Sequence, residues 1–462
     1  MINLPRLIFL MMYAAAAYAE PSTPTSLTLV EAINHGLIHN RAMRIANLSV
    51  EEAGIAVTEQ AAAFALRWSP EGGVSINQDE DSSSFYGLRM SRRFEWGGEA
   101  SIGAGYENRD DGDGAYARFD IRQPLFRDAG FLVNSEGETR AREAALDARR
   151  SLYLRKMELM IDIVRGYEAV LRYERQVEMD RLALKRLEDL LTLTRVREET
   201  GNATRLDSLR VDQQRGEAEV NLEGSLELLA LERDDFFNVI GWTNAVDVVF
   251  TEPPLLDLES PTLPDALAIA FSNRLDYARA LDQLTAAERQ IVIARKDLQP
   301  DLDIVANYRM TGGQDGRSST DLAEDSWFAG IAVDPELNRY ERRAGLLRTV
   351  SRRDQAIISL ADLDYVIERD IKQQTRAYHR ARASYTIARR NTELAWKRLT
   401  LAESMFRAGQ GDNFSVTDAE SAHAAAIATE LAARAEASLS AYRLMFALGT
   451  LLDVPHELKP RT

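Results

Sequence analysis

Glu136 to Glu199 runs without a proline and with only two glycines, and it is rich in Leu, Arg, Glu and Ala. A helix over this stretch, at ~1.5 Å per residue, reaches ~95 Å. Ile163, Val170, Val177, Leu184 and Leu191 recur along it every seven residues. A shift of 208 residues carries this stripe onto Ile371, Tyr378, Tyr385, Thr392 and Leu399, with Phe406 one step further. A sustained seven-residue stripe means coiled-coil packing rather than the face of a globular helix. The companion positions Gly166, Tyr173, Asp180 and Leu187 are too polar for a simple two-stranded coil. They suit a curved wall of several helices with one flank in water.

The duplication extends past the stripe. Ser26-Leu27-Thr28-Leu29-Val30-Glu31-Ala32 is echoed by Pro261-Thr262-Leu263-Pro264-Asp265-Ala266-Leu267, and Asn40-Arg41 by Asn273-Arg274. The 208-residue shift also maps Gly201 onto Gly409 and Gly241 onto Gly449. A break at Thr200-Gly201-Asn202 and another at Ala408-Gly409-Gln410 each end a long helix, since glycine supplies a left-handed C-cap. Thr204 and Asp412 are placed to cap the return helices Leu206–Ile240 and Phe414–Leu448. The organisation expected is a first repeat over 20–252, a proline-rich linker over 253–264, a second repeat over 265–450 and a tail over 451–462.

Between the first helices and the long ones lie period-two segments. Ala117, Phe119 and Ile121 alternate with Arg118, Asp120 and Arg122; Ile102, Ala104 and Tyr106 alternate with Ser101, Gly103 and Gly105; Leu302, Ile304 and Ala306 alternate with Asp301, Asp303 and Asn307. This pattern fits a barrel wall between lipid and a wet lumen, and equally a half-buried sheet in a soluble protein. Two strands per half, four per chain, are expected, and four cannot close a barrel alone. Residues 85–107 read as an additional hairpin with Trp96-Gly97-Gly98 at its turn, either extending the strands or standing outside as a loop.

Composition narrows the chemistry. The 462 residues carry 56 Lys+Arg against 72 Asp+Glu, a net charge of −16, whereas a nucleic-acid partner calls for a basic stripe. No cysteine is present, which removes disulfides, thiolate nucleophiles and cysteine metal sites. Arg6, the apolar run Leu7 to Ala17 and Ala17-Tyr18-Ala19 fit a cleavable export leader over residues 1–19, which is expected here over a short N-terminal anchor helix because the apolar run is too short to span a membrane. Beyond it no apolar run reaches the ~18 residues of a helical membrane span. His35 and His39 stand at i, i+4 but lack a third metal ligand, Trp96 to Gly103 lacks the lysine of a phosphate loop, and no serine nucleophile elbow occurs. No enzyme activity, catalytic residue, metal or cofactor is expected.

Leader, duplication, a few amphipathic strands and two very long helices with glycine-marked turns together resemble the TolC-like outer-membrane efflux protein family. Ser26 to Ala32 with Asn40, the turn Gly201 to Asp207, the turn Gly409 to Asp418 with Ala419-Glu420, and Pro124-Leu125-Phe126 carry the resemblance, which covers nearly all of the chain after the leader. It implies a mainly α fold with a β-barrel portion: a homotrimer with a twelve-stranded barrel in the outer membrane and an α-helical tunnel in the periplasm. It implies an export duct working with a periplasmic adaptor and an inner-membrane transporter. Carried over by position, Asp207 and Asp418 are gate acids, a second acidic gate position falls on Ser415, and a basic one on Gly411. Thr200, Gly201, Asn202, Ala408, Gly409 and Gln410 become the adaptor-contact turns. The competing reading is a helical scaffold without a pore, which accounts for the helices and acidity but not for the strand inserts or the leader.

Overall fold

The structure, a computed structural model, describes residues 26–76, 82–108, 113–201, 203–242, 248–259, 261–312, 320, 322, 324–334 and 338–460. The leader and Asn202 lie outside the described residues. Two compact units emerge, one built from the chain up to Arg44 with Arg155–Pro264 and Asp370–Leu452, the other from Ile45–Leu154, Asp265–Arg369 and Asp453–Thr462.

In the first unit, β1 (Ser26–Leu27) pairs in parallel with β6 (Val249–Phe250). Helix α1 (Leu29–His39) begins at Thr28, whose side chain accepts from the Glu31 N–H while the Glu31 carboxylate accepts from the Thr28 N–H at 2.8 Å. Helix α2 follows over Arg41–Ala61. The long helix α3 covers Glu136–Glu199, the bounds read from the sequence, and α4 returns over Arg205–Ile240. After α5 (Leu263–Asn273) and α6 (Leu275–Asp297), which from Asp265 on belong to the second unit, the same hairpin recurs as α7 (Tyr340–Arg407) and α8 (Asn413–Ala447).

Glycines related by the repeat do the same conformational work. Gly201 and Gly409 end the long helices with φ of 71° and 74°, and Gly241 and Gly449 end the return helices at 76° and 71°. Only glycine reaches this left-handed region without a Cβ penalty. The heptad stripe is buried at Ile163, Val170, Val177 and Leu191 in α3, and at Ile371, Tyr378, Leu399 and Phe406 in α7. Leu184, Tyr385 and Thr392 are half-buried. An aromatic core anchors the stripe: the Tyr167 ring packs edge-on against Phe236 and Phe250. Its hydroxyl sits between the Leu27 and Thr251 carbonyls, 2.7 and 2.6 Å away, and accepts from the Thr251 N–H at 3.0 Å.

The second unit holds one antiparallel sheet. Its strands are β2 (Arg67–Ile76), β3 (Ser82–Arg93), β4 (Glu99–Asn108), β5 (Gly114–Pro124), β7 (Asp301–Thr311) and β8 (Glu324–Asp334), in that spatial order. Among the described residues the expectation of four strands is therefore corrected to six: the first half supplies four and the second half two. The difference is the 85–107 hairpin, which lies within the sheet between β2 and β5. The register aligns Trp68, Met90, Ile102, Phe119, Tyr308 and Trp327 in a single row across all six strands. Residues facing each other across antiparallel strands project to the same side, so this row marks one face.

Candidate functional site

Two places gather functional side chains, one in each unit. In the first unit they are the tips of the helical hairpins. At the α3–α4 tip, the Gly201 N–H donates to the Glu198 carbonyl at 3.1 Å and the Ala203 N–H to the Arg197 carbonyl at 3.2 Å, closing the end of α3. Thr200 hydrogen-bonds back to the Val196 and Arg197 carbonyls. Thr204 then starts α4, with Asp207 as the reciprocal partner of its capping box: the Asp207 carboxylate accepts from the Thr204 N–H at 3.0 Å and from its hydroxyl at 2.7 Å. These bonds, led by the hydroxyl, hold the Asp207 carboxyl below the usual aspartate range.

The α7–α8 tip repeats the design with different residues. The Ala408, Gly409 and Gln410 N–H groups donate to the Ser404, Phe406 and Met405 carbonyls at 3.0, 3.0 and 2.9 Å. Asp412 caps α8 and accepts from the Ser415 hydroxyl and, at 2.9 Å, from the Ser415 N–H. Those two bonds, the hydroxyl's first, lower the Asp412 carboxyl as well. Asp412 also raises Asp207 slightly by charge repulsion, and Arg210 lowers both. The two tips therefore share an electrostatic environment. Asp418, exposed on α8, is ion-paired with Arg398 of α7.

Every sequence-derived site residue apart from Asn202 thus sits at or near a tip, but in sharper roles. Asp207 is a cap, Ser415 is a donor to a cap, and Asp418 is half of an ion pair. Sequence reasoning took Asp412 only as a cap, although its carboxylate is the one whose charge Asp207 feels. It also missed Arg398 and the nearly buried Glu420, which accepts three bonds of 2.6–3.0 Å from Arg186. Arg197 braces the second tip from α3, donating to the Phe406 carbonyl at 2.7 Å with its guanidinium 4.2 Å over the Phe406 ring. No local signal marked these partners: Arg398 meets Asp418 across two helices, and the other pairings join residues more than 200 apart.

In the second unit the sheet has two unlike faces. The face marked by the Trp68–Trp327 row also carries Tyr86, Leu88, Ala104, Tyr106, Ala117, Ile121, Ile304, Ile331 and Val333. Among the described residues its only charges are Arg92 and Asp325, near strand ends. It is open: Trp68 is 62% and Trp327 73% exposed. The opposite face carries cross-strand ion pairs, Arg122–Asp303 at 2.6 Å and Arg309–Glu107 at 2.9 Å. There Glu71 of β2 receives Arg89 at 3.0 Å, Arg118 at 2.9 Å and the Tyr116 hydroxyl at 3.1 Å. Among the described residues no group of three His, Asp or Glu side chains is arranged to hold a metal, and no helix is long and apolar enough to cross a membrane.

No protein-family model and no curated protein matches the chain. Solved structures do. A structure of CusC, described in terms of folding and transmembrane channel formation, superposes with a TM-score of 0.69 at 15% identity, covering 94% of this chain and 95% of that one. A membrane protein from Pseudomonas aeruginosa gives 0.71 at 17% identity, covering 91% and 90%. The outer membrane protein VceC from Vibrio cholerae gives 0.69 at 16% identity, covering 91% and 96%. The fold of the single chain, mainly helical with a sheet portion, is thus TolC-like.

Proposed function

We propose that this chain is one subunit of a homotrimeric export duct in the outer membrane, with its helical part in the periplasm. The observation that carries the reading is the sheet. One of its faces is apolar and open from edge to edge, the other is charged and internally paired, and among the described residues no strand pairs with the outer edges of β2 and β8. Apolar surface of that extent is unfavourable in water, and unpaired strand edges are not tolerated in lipid. A closed barrel of several copies satisfies both demands, with lipid outside and water inside. Solved structures of the same fold are described as outer-membrane channels, which supports this location and role.

The hairpin tips are the proposed gate and adaptor contact. Thr200, Gly201, Asn202, Ala408, Gly409 and Gln410 form the turns that a periplasmic adaptor would meet, on the way from an inner-membrane transporter. Threefold symmetry would set Asp207, Asp418 and Ser415 in rings around the opening. Negative rings in a narrow aqueous mouth attract cations. Single-channel recording in planar bilayers tests this. Asp418→Ala leaves Arg398 without its carboxylate, so cation preference and block by multivalent cations should weaken, with Asp207→Ala weakening them further. Wild-type selectivity and block in both variants would remove these residues from the gate; absence of any conductance from purified trimers would overturn the duct itself.

A further inference from the structure

Resting on the duct reading, we infer that the hairpin β3–β4 is a fixed part of the barrel wall, so that three copies of a six-stranded sheet close eighteen strands rather than twelve. Four observations lead there. First, β3 and β4 keep the two-faced pattern of their neighbours, with Leu88, Met90, Ile102 and Ala104 on the apolar side and Arg89, Ser91 and Ser101 on the charged side. An external loop has no reason to alternate in register with four flanking strands.

Second, the β3–β4 turn is tied to the end of the sheet where the chain enters α3. The Gly130 N–H donates to the Trp96 carbonyl at 2.8 Å, the Trp96 indole N–H to the Gln123 side chain at 3.0 Å, and Arg93 to the Asn134 side chain at 2.8 Å.

Third, a side-chain strap crosses the inserted strands. The register places Glu71, Gly87, Gly105 and Tyr116 in one row over β2, β3, β4 and β5. Tyr116 reaches from β5 over both glycines to the Glu71 carboxylate on β2. A Cβ at Gly87 would stand 2.6 Å from the Tyr116 hydroxyl, and one at Gly105 2.8 Å from it. One row further along, Arg118 runs over Gly103 to the same carboxylate, with a Cβ at Gly103 falling 3.2 Å from the Arg118 Nε. The glycines are thus required by a strap that exists only if β3 and β4 lie flat between β2 and β5.

Fourth, the geometry is that of a tilted wall. Trp68 lies one residue from the start of β2 at Arg67, whereas Trp327, in the same row, lies seven from the end of β8 at Asp334. A slip of about six residues over five strand steps, at ~3.3 Å rise and ~4.8 Å spacing, gives a tilt of about 40°, within the range of membrane barrels. At that tilt eighteen strands enclose a backbone diameter of about 36 Å and twelve about 24 Å. The inserted hairpin therefore widens the exit by about half and adds Arg89, Arg93, Glu99 and Glu107 to its aqueous lining.

The native chain lacks cysteine, so single-cysteine variants report cleanly. Ser91→Cys and Ser101→Cys, against Leu88→Cys, Met90→Cys and Ile102→Cys, would be treated with a membrane-impermeant maleimide in reconstituted bilayers. Mass would be followed by light scattering after detergent extraction. The lumen-side pair should react at least about tenfold faster, because the reactive thiolate does not form in hydrocarbon. Uniform labelling in a protein that weighs three chains overturns the hairpin's place in the wall and leaves the trimeric duct standing. Alternating labelling in a protein of any other mass overturns the count of eighteen together with the trimer.

Discussion

His35 stacks on His39 with ring centroids 4.3 Å apart and on Trp242 at 5.1 Å, while its Nδ1 lies 3.1 Å from the Ile240 carbonyl. The i, i+4 histidine spacing, which in isolation is compatible with a metal, here closes the end of α4. Burial holds the His35 pKa below its ordinary 6.5, the Ile240 carbonyl works against that, and the His39 charge adds to it. The folded chain therefore takes up this proton less readily than the unfolded one. The contribution to stability is full above about pH 6.5 and is lost as pH falls through the lower, folded value. Thermal unfolding should accordingly shift downward between about pH 7.5 and about pH 5, and His35→Gln should flatten that shift. An unchanged slope in the variant would assign the acid sensitivity elsewhere; His423, lowered in the same direction by burial, accounts for a residual slope. The tip acids divide in a similar way. That Asp207 and Asp418 flank helix breaks was legible in the sequence, since a glycine followed by a capping residue is a local signal. Which carboxylate meets Arg398, and which one feels Asp412, depends on pairings between separate helices that no local pattern encodes.

Long helices were the most legible elements, because their signal is summed over many turns: α3 has the bounds that its freedom from proline implied. The stripe was legible too, though not its uneven burial. Val177 is 5% exposed and Leu184 is half-buried. Val177→Asp buries a charge without a partner and should cost several kcal/mol, with a sharp fall in folded yield and melting temperature. Leu184→Asp should be clearly milder by the same two measurements. Equal damage at both positions would mean that assembly covers the Leu184 flank. Strands were read less well. In β2, Pro70, Gly72 and Gly73 interrupt the apolar alternation between Trp68 and Val74, and in β3 Phe85 and Tyr86 put aromatic rings on both faces. Neither strand announces itself by period two, so the hairpin legible over 85–107 could be read either as an extension of the strands or as an external loop, and the expected count stayed at four. The register with β4, whose alternation is clean, places β3 inside the sheet, and the register with β3 places β2 at its edge.

At the scale of the whole molecule, the apolar face separates a membrane-embedded protein from a helical scaffold adsorbed at a surface. Membranes washed with high salt should retain the chain, since salt screens charge contacts but does not weaken burial in hydrocarbon; release into the wash would favour the scaffold. The order of strands has a further consequence. A hairpin is a pair of strands with opposite directions, so inserting β3 and β4 leaves β2 and β5 running as they would without it, and in the proposed barrel β8 would still meet the β2 of a neighbouring copy in antiparallel sense. Adding a single strand would reverse everything after it and force the following helix to begin at the wrong end. If the sheet closes into the proposed barrel, a lineage with this architecture can therefore change the bore of its exit only in quanta of one hairpin per subunit, and each such step leaves the connections to the helices untouched. Exit width and helical hairpins become separately heritable traits, open to selection one at a time.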